Sequence, residues 1–213
     1  MDQEIVSLKD RTNFLINHGM KTGFKFKHIY DFSEEMEKIR KYIEKNGLEY
    51  NNKISKSRYS KTHGSVEQIK IISIENNKQI DEPYTVFNNR VDPELLDLCM
   101  PIVKKLEEIY NGRVCECLIN RLDAFSVISK HSDTEGYIEL GELALGYYYR
   151  VIRRIHIPII TNDKVLFEVD GERISFKNGE CWETNTDLEH AVYNYSPEPR
   201  YHLVFDVLPN KWL

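Results

Sequence analysis

No run of about 18 apolar residues interrupts the 213-residue chain, so no segment reads as a membrane-spanning helix. Basic charge is not in excess: 29 Lys and Arg stand against 34 Asp and Glu, a formal net charge of −5. That leaves no overall field for a nucleic-acid backbone. The close-set Lys53, Lys56, Arg58 and Lys61 read as solvated surface. Cysteine is scarce. Cys99, Cys115, Cys117 and Cys181 form no Cys-x-x-Cys pair and no dense framework, which excludes a disulfide scaffold and favours a reducing compartment. Cys115 and Cys117 would share one strand face as packing residues. The opening Met1-Asp2-Gln3-Glu4 lacks the positive charge and apolar stretch of a signal peptide, and a cytoplasmic location is expected. Internal repeats and low-complexity linkers are also missing. The rest is ordinary globular composition, 41% hydrophobic and 30% charged. It fits one domain, here divided into an N-terminal α/β extension (1–112) and a core (113–213). The partners left open are a small molecule or a peptide. The oligomeric state is not set.

Two helices are expected in the first half. Ser33 with Glu34 and Glu35 suits a helix start, Met36, Ile39 and Ile43 recur at helical spacing, and Asn46-Gly47 stops the run. The second opens at Asp92-Pro93, carries Leu95, Leu98, Ile102, Leu106 and Ile109, and closes at Asn111-Gly112. Pro101 is a candidate kink. Gln68 to Ile74 reads as a strand. From Val114 the period becomes two, and strands are expected at Val114 to Leu122, Val127 to His131, Ile152 to Ile160, Val165 to Val169, Arg173 to Phe176 and Tyr201 to Leu208. Asp170-Gly171 and Asn178-Gly179 are expected hairpin turns, because such dipeptides accept positive φ. Many short antiparallel strands in about 100 residues describe a jelly roll or related barrel, mainly β with N-terminal helices.

His131-Ser132-Asp133 closes one of these strands. Residues i and i+2 point to the same side of an extended chain, so both side chains can reach one ion. A third ligand must come from elsewhere, and His190 lies between turn-rich sequence and the next strand. Two histidines and a carboxylate on one face of an octahedron are the signature of oxygen-activating Fe(II) sites. In Arg154-Ile155-His156-Ile157-Pro158-Ile159, Arg154 and His156 share one face and three isoleucines the other. Arg200-Tyr201-His202-Leu203-Val204-Phe205 repeats that split. Either the isoleucine face turns to the core, or Arg and His turn inward to meet an anion, since burying them unpaired is costly. The planar fork of Arg200 suits a terminal carboxylate.

The stretch from Leu118 to Val207 resembles the aspartyl/asparaginyl β-hydroxylase family, which also includes free-proline hydroxylases. The matching pieces are Ile128-Ser129-Lys130-His131-Ser132-Asp133, Arg154-Ile155-His156-Ile157-Pro158-Ile159 and Gly179-Glu180-Cys181-Trp182-Glu183. Glu189-His190-Ala191-Val192 follows, with Arg200 ten residues later and Asp206 in the closing strand. The resemblance implies a double-stranded β-helix, a cupin-like jelly roll. It implies Fe(II) held by His131, Asp133 and His190, and 2-oxoglutarate gripped by Arg200 with His156 beside it. Arg154 would face a carboxylate of substrate or cosubstrate, and Asn120 would touch the cosubstrate. O2 is the oxidant, with ascorbate in support. The implied reaction hydroxylates an unactivated C–H bond of an amino acid or a peptidyl proline, aspartate or asparagine.

The chain departs from the best-known animal members, which have glycine where Asp133 stands, and so looks more like the bacterial amino-acid hydroxylases. Extra residues between Asp133 and Arg154, with Tyr137, Gly146 and Tyr147 to Tyr149, form either a lid or a packed hairpin. His202 lies behind the site or is a buried histidine with its own partner; Trp182 is expected in the core. The rival readings are a cupin-type metal-dependent isomerase or lyase and a non-catalytic small-acid-binding barrel.

Overall fold

A computed structural model describes residues 23–48, 52–53, 66–74, 85–87, 91–133 and 151–210. Two antiparallel sheets face each other. The larger has eight strands: β1 (Phe26–Asp31), β2 (Asn52–Lys53), β3 (Val66–Ile74), β4 (Thr85–Phe87), β5 (Gly112–Leu122), β7 (Arg153–Ile160), β10 (Glu180–Thr184) and β12 (Arg200–Pro209). Their order is β1-β10-β7-β12-β5-β3-β2, with β4 on β3. The smaller sheet is β6 (Ser126–His131), β11 (His190–Asn194), β8 (Val165–Val169) and β9 (Glu172–Ile174), in that order. This is the expected jelly roll. Strands from before residue 112 hydrogen-bond directly into the large sheet, β1 to β10 and β3 to β5.

Helices α1 (Ser33–Asn46) and α2 (Pro93–Tyr110) cover one face of the large sheet. In α1 the buried residues are Met36, Ile39, Tyr42 and Ile43, the stripe that a 3.6-residue period places on one side. Ser33 is the first helical residue rather than the cap. Its N–H is received by the Asp31 carboxylate at 2.8 Å. In α2, Asp92 caps the start by accepting from Glu94 N at 2.8 Å, Pro93 occupies the first turn, and Asn111 ends the helix in the left-handed region. The helix continues through Pro101. Its buried stripe is Leu95, Cys99, Ile102, Val103 and Leu106, while Ile109 is exposed.

Both faces of the central strands β7 and β12 are buried, which resolves the two orientations left open for the Arg/His strands. Ile155, Ile157 and Ile159 of β7, Leu203, Phe205 and Val207 of β12, and Cys117 and Ile119 of β5 join the helix-side core. The opposite face looks into the barrel, toward the small sheet. There Val66 and Leu122 pack with Ile128, Phe167, Phe176 and Val192. Isoleucines therefore serve folding on one side while Arg154, His156, Arg200 and His202 line the interior on the other.

The two Gly-containing turns differ. Asp170 (φ 47°) and Gly171 (φ 77°) close the β8–β9 hairpin as expected. Asn178-Gly179 does not make a hairpin. It carries the chain from the small sheet to the large one, with Glu180 N–H bonded to Lys177 O at 3.1 Å. Gly179 N–H donates to Pro158 O, and its carbonyl receives Phe32 N–H at 2.8 Å. Lys56, Arg58 and Lys61 and all but the end of the 134–153 insertion lie outside the described residues.

A Cβ at Gly179 would come within 2.5 Å of Ser33 Cα and 2.7 Å of Ser33 N, at φ +84°. Gly179→Ala is therefore expected to cost about 2 kcal/mol or more, lowering Tm by about 4–8 °C. At Gly171 nothing lies within 4 Å, and Gly171→Asn should cost less than about 1 kcal/mol because Asn tolerates positive φ. Thermal unfolding of the two variants decides; equal losses would contradict the close approach at Ser33.

Candidate metal and cosubstrate site

Antiparallel register brings the two histidines together. His131 ends β6, His190 begins β11, and their Cα atoms are paired, so the rings stand with centroids 4.3 Å apart. Each ring is held the same way. His131 Nδ1 lies 2.7 Å from Ser129 O and His190 Nδ1 lies 3.0 Å from Leu188 O. A carbonyl only accepts, so each Nδ1 carries the proton and each Nε2 keeps its lone pair for a metal. Asp133 follows β6, its N–H bonded to Thr186 O. Its Oδ1 sits 3.6 Å from His131 Nε2 and 3.8 Å from His190 Nε2. The three ligand atoms lie within 4.8 Å of one another. Burial pushes the His190 imidazole down to about 4, against the pull of Asp133, so the ring is neutral and able to bind a cation.

The second oxygen of Asp133 is spoken for. Oδ2 accepts from Arg154 Nη1 at 2.7 Å, while Arg154 Nε and Nη2 make a two-pronged contact with Asp206 at 2.8 Å each. Asp206 is buried and is the register partner of Arg154 across β12 and β7. The guanidinium thus turns Oδ1 toward the histidines.

Deeper in the barrel lies a group of polar atoms with no hydrogen-bond partner among the described residues. They include Nε and Nη1 of Arg200, Nδ1 of His156, Oδ1 of Asn120 and both ring nitrogens of His202. Arg200 is 1% exposed, with its guanidinium 5.6 Å from the Phe167 ring. Burial lowers its pKa to about 9, which leaves it cationic at neutral pH. Burial, then Arg200 and Arg154, hold His156 well below the usual imidazole range. A buried cation without a carboxylate partner among the described residues, beside neutral hydrogen-bonding groups, suits an anion. The donor set fits the groups expected: nitrogen and oxygen ligands for iron, and an unsatisfied fork for a carboxylate.

Residues 33–209 match the aspartyl/asparaginyl β-hydroxylase family. The chain belongs to this family. As a member it is a 2-oxoglutarate-dependent dioxygenase of the hydroxylase type. Solved structures with the same fold include an oxidoreductase of the 2OG-Fe(II) oxygenase family from Burkholderia pseudomallei, at 13% identity and TM-score 0.56, covering 99% of this chain and 95% of that one. A prolyl-4-hydroxylase from Pseudomonas putida follows at 10% and 0.54, covering 96% and 100%. A prolyl hydroxylase from Trichoplax adhaerens, in complex with a hypoxia inducible factor peptide fragment, matches at 11% and 0.54, covering 94% and 90%. Comparison with curated proteins gives no match.

In this β-hydroxylase family member, the residues singled out in the sequence fall into two groups. His131, Asp133 and His190 come together within 4.8 Å; Arg200, His156 and Asn120 place buried polar atoms on the interior face of the large sheet. Arg154, expected to face a carboxylate of substrate or cosubstrate, faces two carboxylates of the protein instead. Sequence reasoning assigned no task to Asp206, although its place six residues after Arg200 on the same face of β12 was a usable signal. Phe167, which packs against both His156 and His202, carried no signal at all.

Arg154→Lys keeps the charge but cannot serve Asp133 and Asp206 together. It is expected to weaken Co(II) or Zn(II) binding about 10–100-fold, read by metal titration. Undiminished affinity would show that Asp133 needs no such support.

Proposed function

We propose that the chain hydroxylates a free amino acid or a peptidyl residue of the proline, aspartate or asparagine type, with Fe(II) held by His131, Asp133 and His190 and 2-oxoglutarate anchored by Arg200. The observation that carries this reading is the buried Arg200 guanidinium, whose Nε and Nη1 lack partners among the described residues, in the same barrel interior as a His-Asp-His cluster. When bound, Fe(II), 2-oxoglutarate and O2 would supply the oxidising power: one oxygen atom of O2 would enter the substrate C–H bond and the other would end in succinate, as 2-oxoglutarate loses carbon dioxide.

The chain's own residues bind, orient and exclude. Nδ1–H bonds to Ser129 O and Leu188 O fix both imidazoles as Nε2 ligands. Arg154 keeps Asp133 from turning away. Arg200 neutralises the distal carboxylate, while His156 and Asn120 offer polar atoms along the cosubstrate. Phe167, Phe176 and Trp182 form a stacked wall, with centroid spacings of 4.5 and 5.3 Å, that keeps water from the buried cation. Low dielectric strengthens its grip on an anion.

The test is aerobic incubation with Fe(II), ascorbate and 2-oxoglutarate against a panel of free amino acids and peptides, followed by mass spectrometry. Succinate release with a gain of one oxygen atom is expected. Arg200→Ala should raise the 2-oxoglutarate requirement at least 30-fold, since removing one side of a buried charge pair costs about 2 kcal/mol or more. Normal turnover of Arg200→Ala at low cosubstrate, or a metal-loaded enzyme that forms no succinate in air, would refute this assignment.

A further inference from the structure

His202 is fully buried at 0% exposure, yet neither ring nitrogen has a hydrogen-bond partner among the described residues. A neutral imidazole carries one donor and one acceptor, and leaving both unmade in an interior is unfavourable compared with an apolar side chain of similar size. Its interior neighbour along the strand, Val204, is apolar, so the position itself does not demand polarity. Some occupant must satisfy the ring.

Geometry identifies that occupant's neighbourhood. His202 and Arg200 are two residues apart on β12 and therefore project from the same face. Phe167 is a common wall for both. The His202 ring stacks on it with centroids 5.3 Å apart and planes 18° apart, and the Arg200 guanidinium lies 5.6 Å from the same ring. The His156 ring, whose Nδ1 has no partner among the described residues, stands 6.1 Å from His202, and Asn120 is the cross-strand partner of His202. Unsatisfied polar atoms thus converge where the cation sits. Burial, then Arg200, keeps the His202 ring uncharged, so it adds a directed N–H without adding a second positive charge. One guanidinium and one carboxylate already balance; a neutral donor supplies direction instead.

We propose that His202 is a second anchor for the distal carboxylate of 2-oxoglutarate, donating a ring N–H to the anion that Arg200 grips. The proposal rests on the reading of Arg200 given above. It makes cosubstrate choice depend on a hydrogen bond as well as an ion pair.

The test uses the full chain loaded with Zn(II), which is redox-inert and diamagnetic, and calorimetric titration with 2-oxoglutarate and with 2-oxopentanoate, which lacks the distal carboxylate. His202→Leu should weaken 2-oxoglutarate about tenfold or more, leave 2-oxopentanoate within about twofold, and melt no lower than the wild type. His202→Gln, which keeps an N–H donor, should recover most of the loss. Equal 2-oxoglutarate affinity in wild type and His202→Leu overturns the proposal, as does parallel weakening of both ligands, the mark of a packing defect. Should the variants misfold, 15N-histidine labelling of the wild type decides. A His202 ring shift with 2-oxoglutarate but not 2-oxopentanoate is expected, and an unmoved resonance overturns it. A Zn(II) protein that binds no 2-oxoglutarate at all overturns both this proposal and the reading of Arg200.

Discussion

A chain of alternating charge, Asp206–Arg154–Asp133, ties the two sheets together at the site. Asp206 and Arg154 belong to adjacent strands of the large sheet, while Asp133 leaves the end of a strand in the small one. Each link is a charge-assisted bond of 2.7–2.8 Å. Neither sheet alone could assemble the site: His131 and His190 come from one, Arg154 and Arg200 from the other. Arg154 sets both the separation of the layers and the aim of the carboxylate. Its fork suits the task because three of its nitrogens reach three oxygens without bending, which an ammonium group cannot reproduce.

The polar interior is expensive, and the architecture isolates that expense. Arg200, His202, Asp206 and Asn194 are all buried. Asn194 is fully satisfied, its amide donating to the carbonyls of Asp123 and Glu198 at 2.9 Å each. Arg200 and His202 have polar atoms without partners among the described residues, so the interior of the described fold carries that cost. That is tolerable because the helix-side core is apolar and continuous, from Met36 and Ile39 through Ile102 and Leu106 to Ile157 and Phe205. Each such side chain contributes roughly 1.5–3 kcal/mol when removed from water. Stability is drawn from one side of the large sheet and preorganisation is placed on the other.

Much of the fold was legible in the sequence. The two helices, their caps at Asp92 and Gly47, and the strands after residue 112 follow from periodicity and turn chemistry. The short strands β10 and β11 were not, because Glu180–Thr184 and His190–Asn194 mix polar and apolar residues without clean alternation. Asn178-Gly179 misled for a related reason: positive φ marks a tight turn but does not say whether the flanking strands will pair. Orientation of the Arg/His strands was the deepest ambiguity. Alternation tells which residues share a face, and it cannot tell which face is buried when both are. The motif pattern, rather than the period, pointed to the right side. Arg154 shows the limit of that pattern, since its position was legible while its partners, Asp133 and Asp206, were fixed only by three-dimensional register.

The back-to-back arrangement of β7 and β12 has a consequence for how this protein can change. Along β12, even-numbered positions from Arg200 to Asp206 face the barrel interior, three of the four with polar side chains, and odd-numbered positions from Tyr201 to Val207 face the helices. A single strand therefore encodes two nearly separable messages, interleaved residue by residue. Variation on one parity can retune ligand choice while the other preserves foldability. New catalytic repertoires then become accessible through short, local sequence walks that leave the scaffold standing.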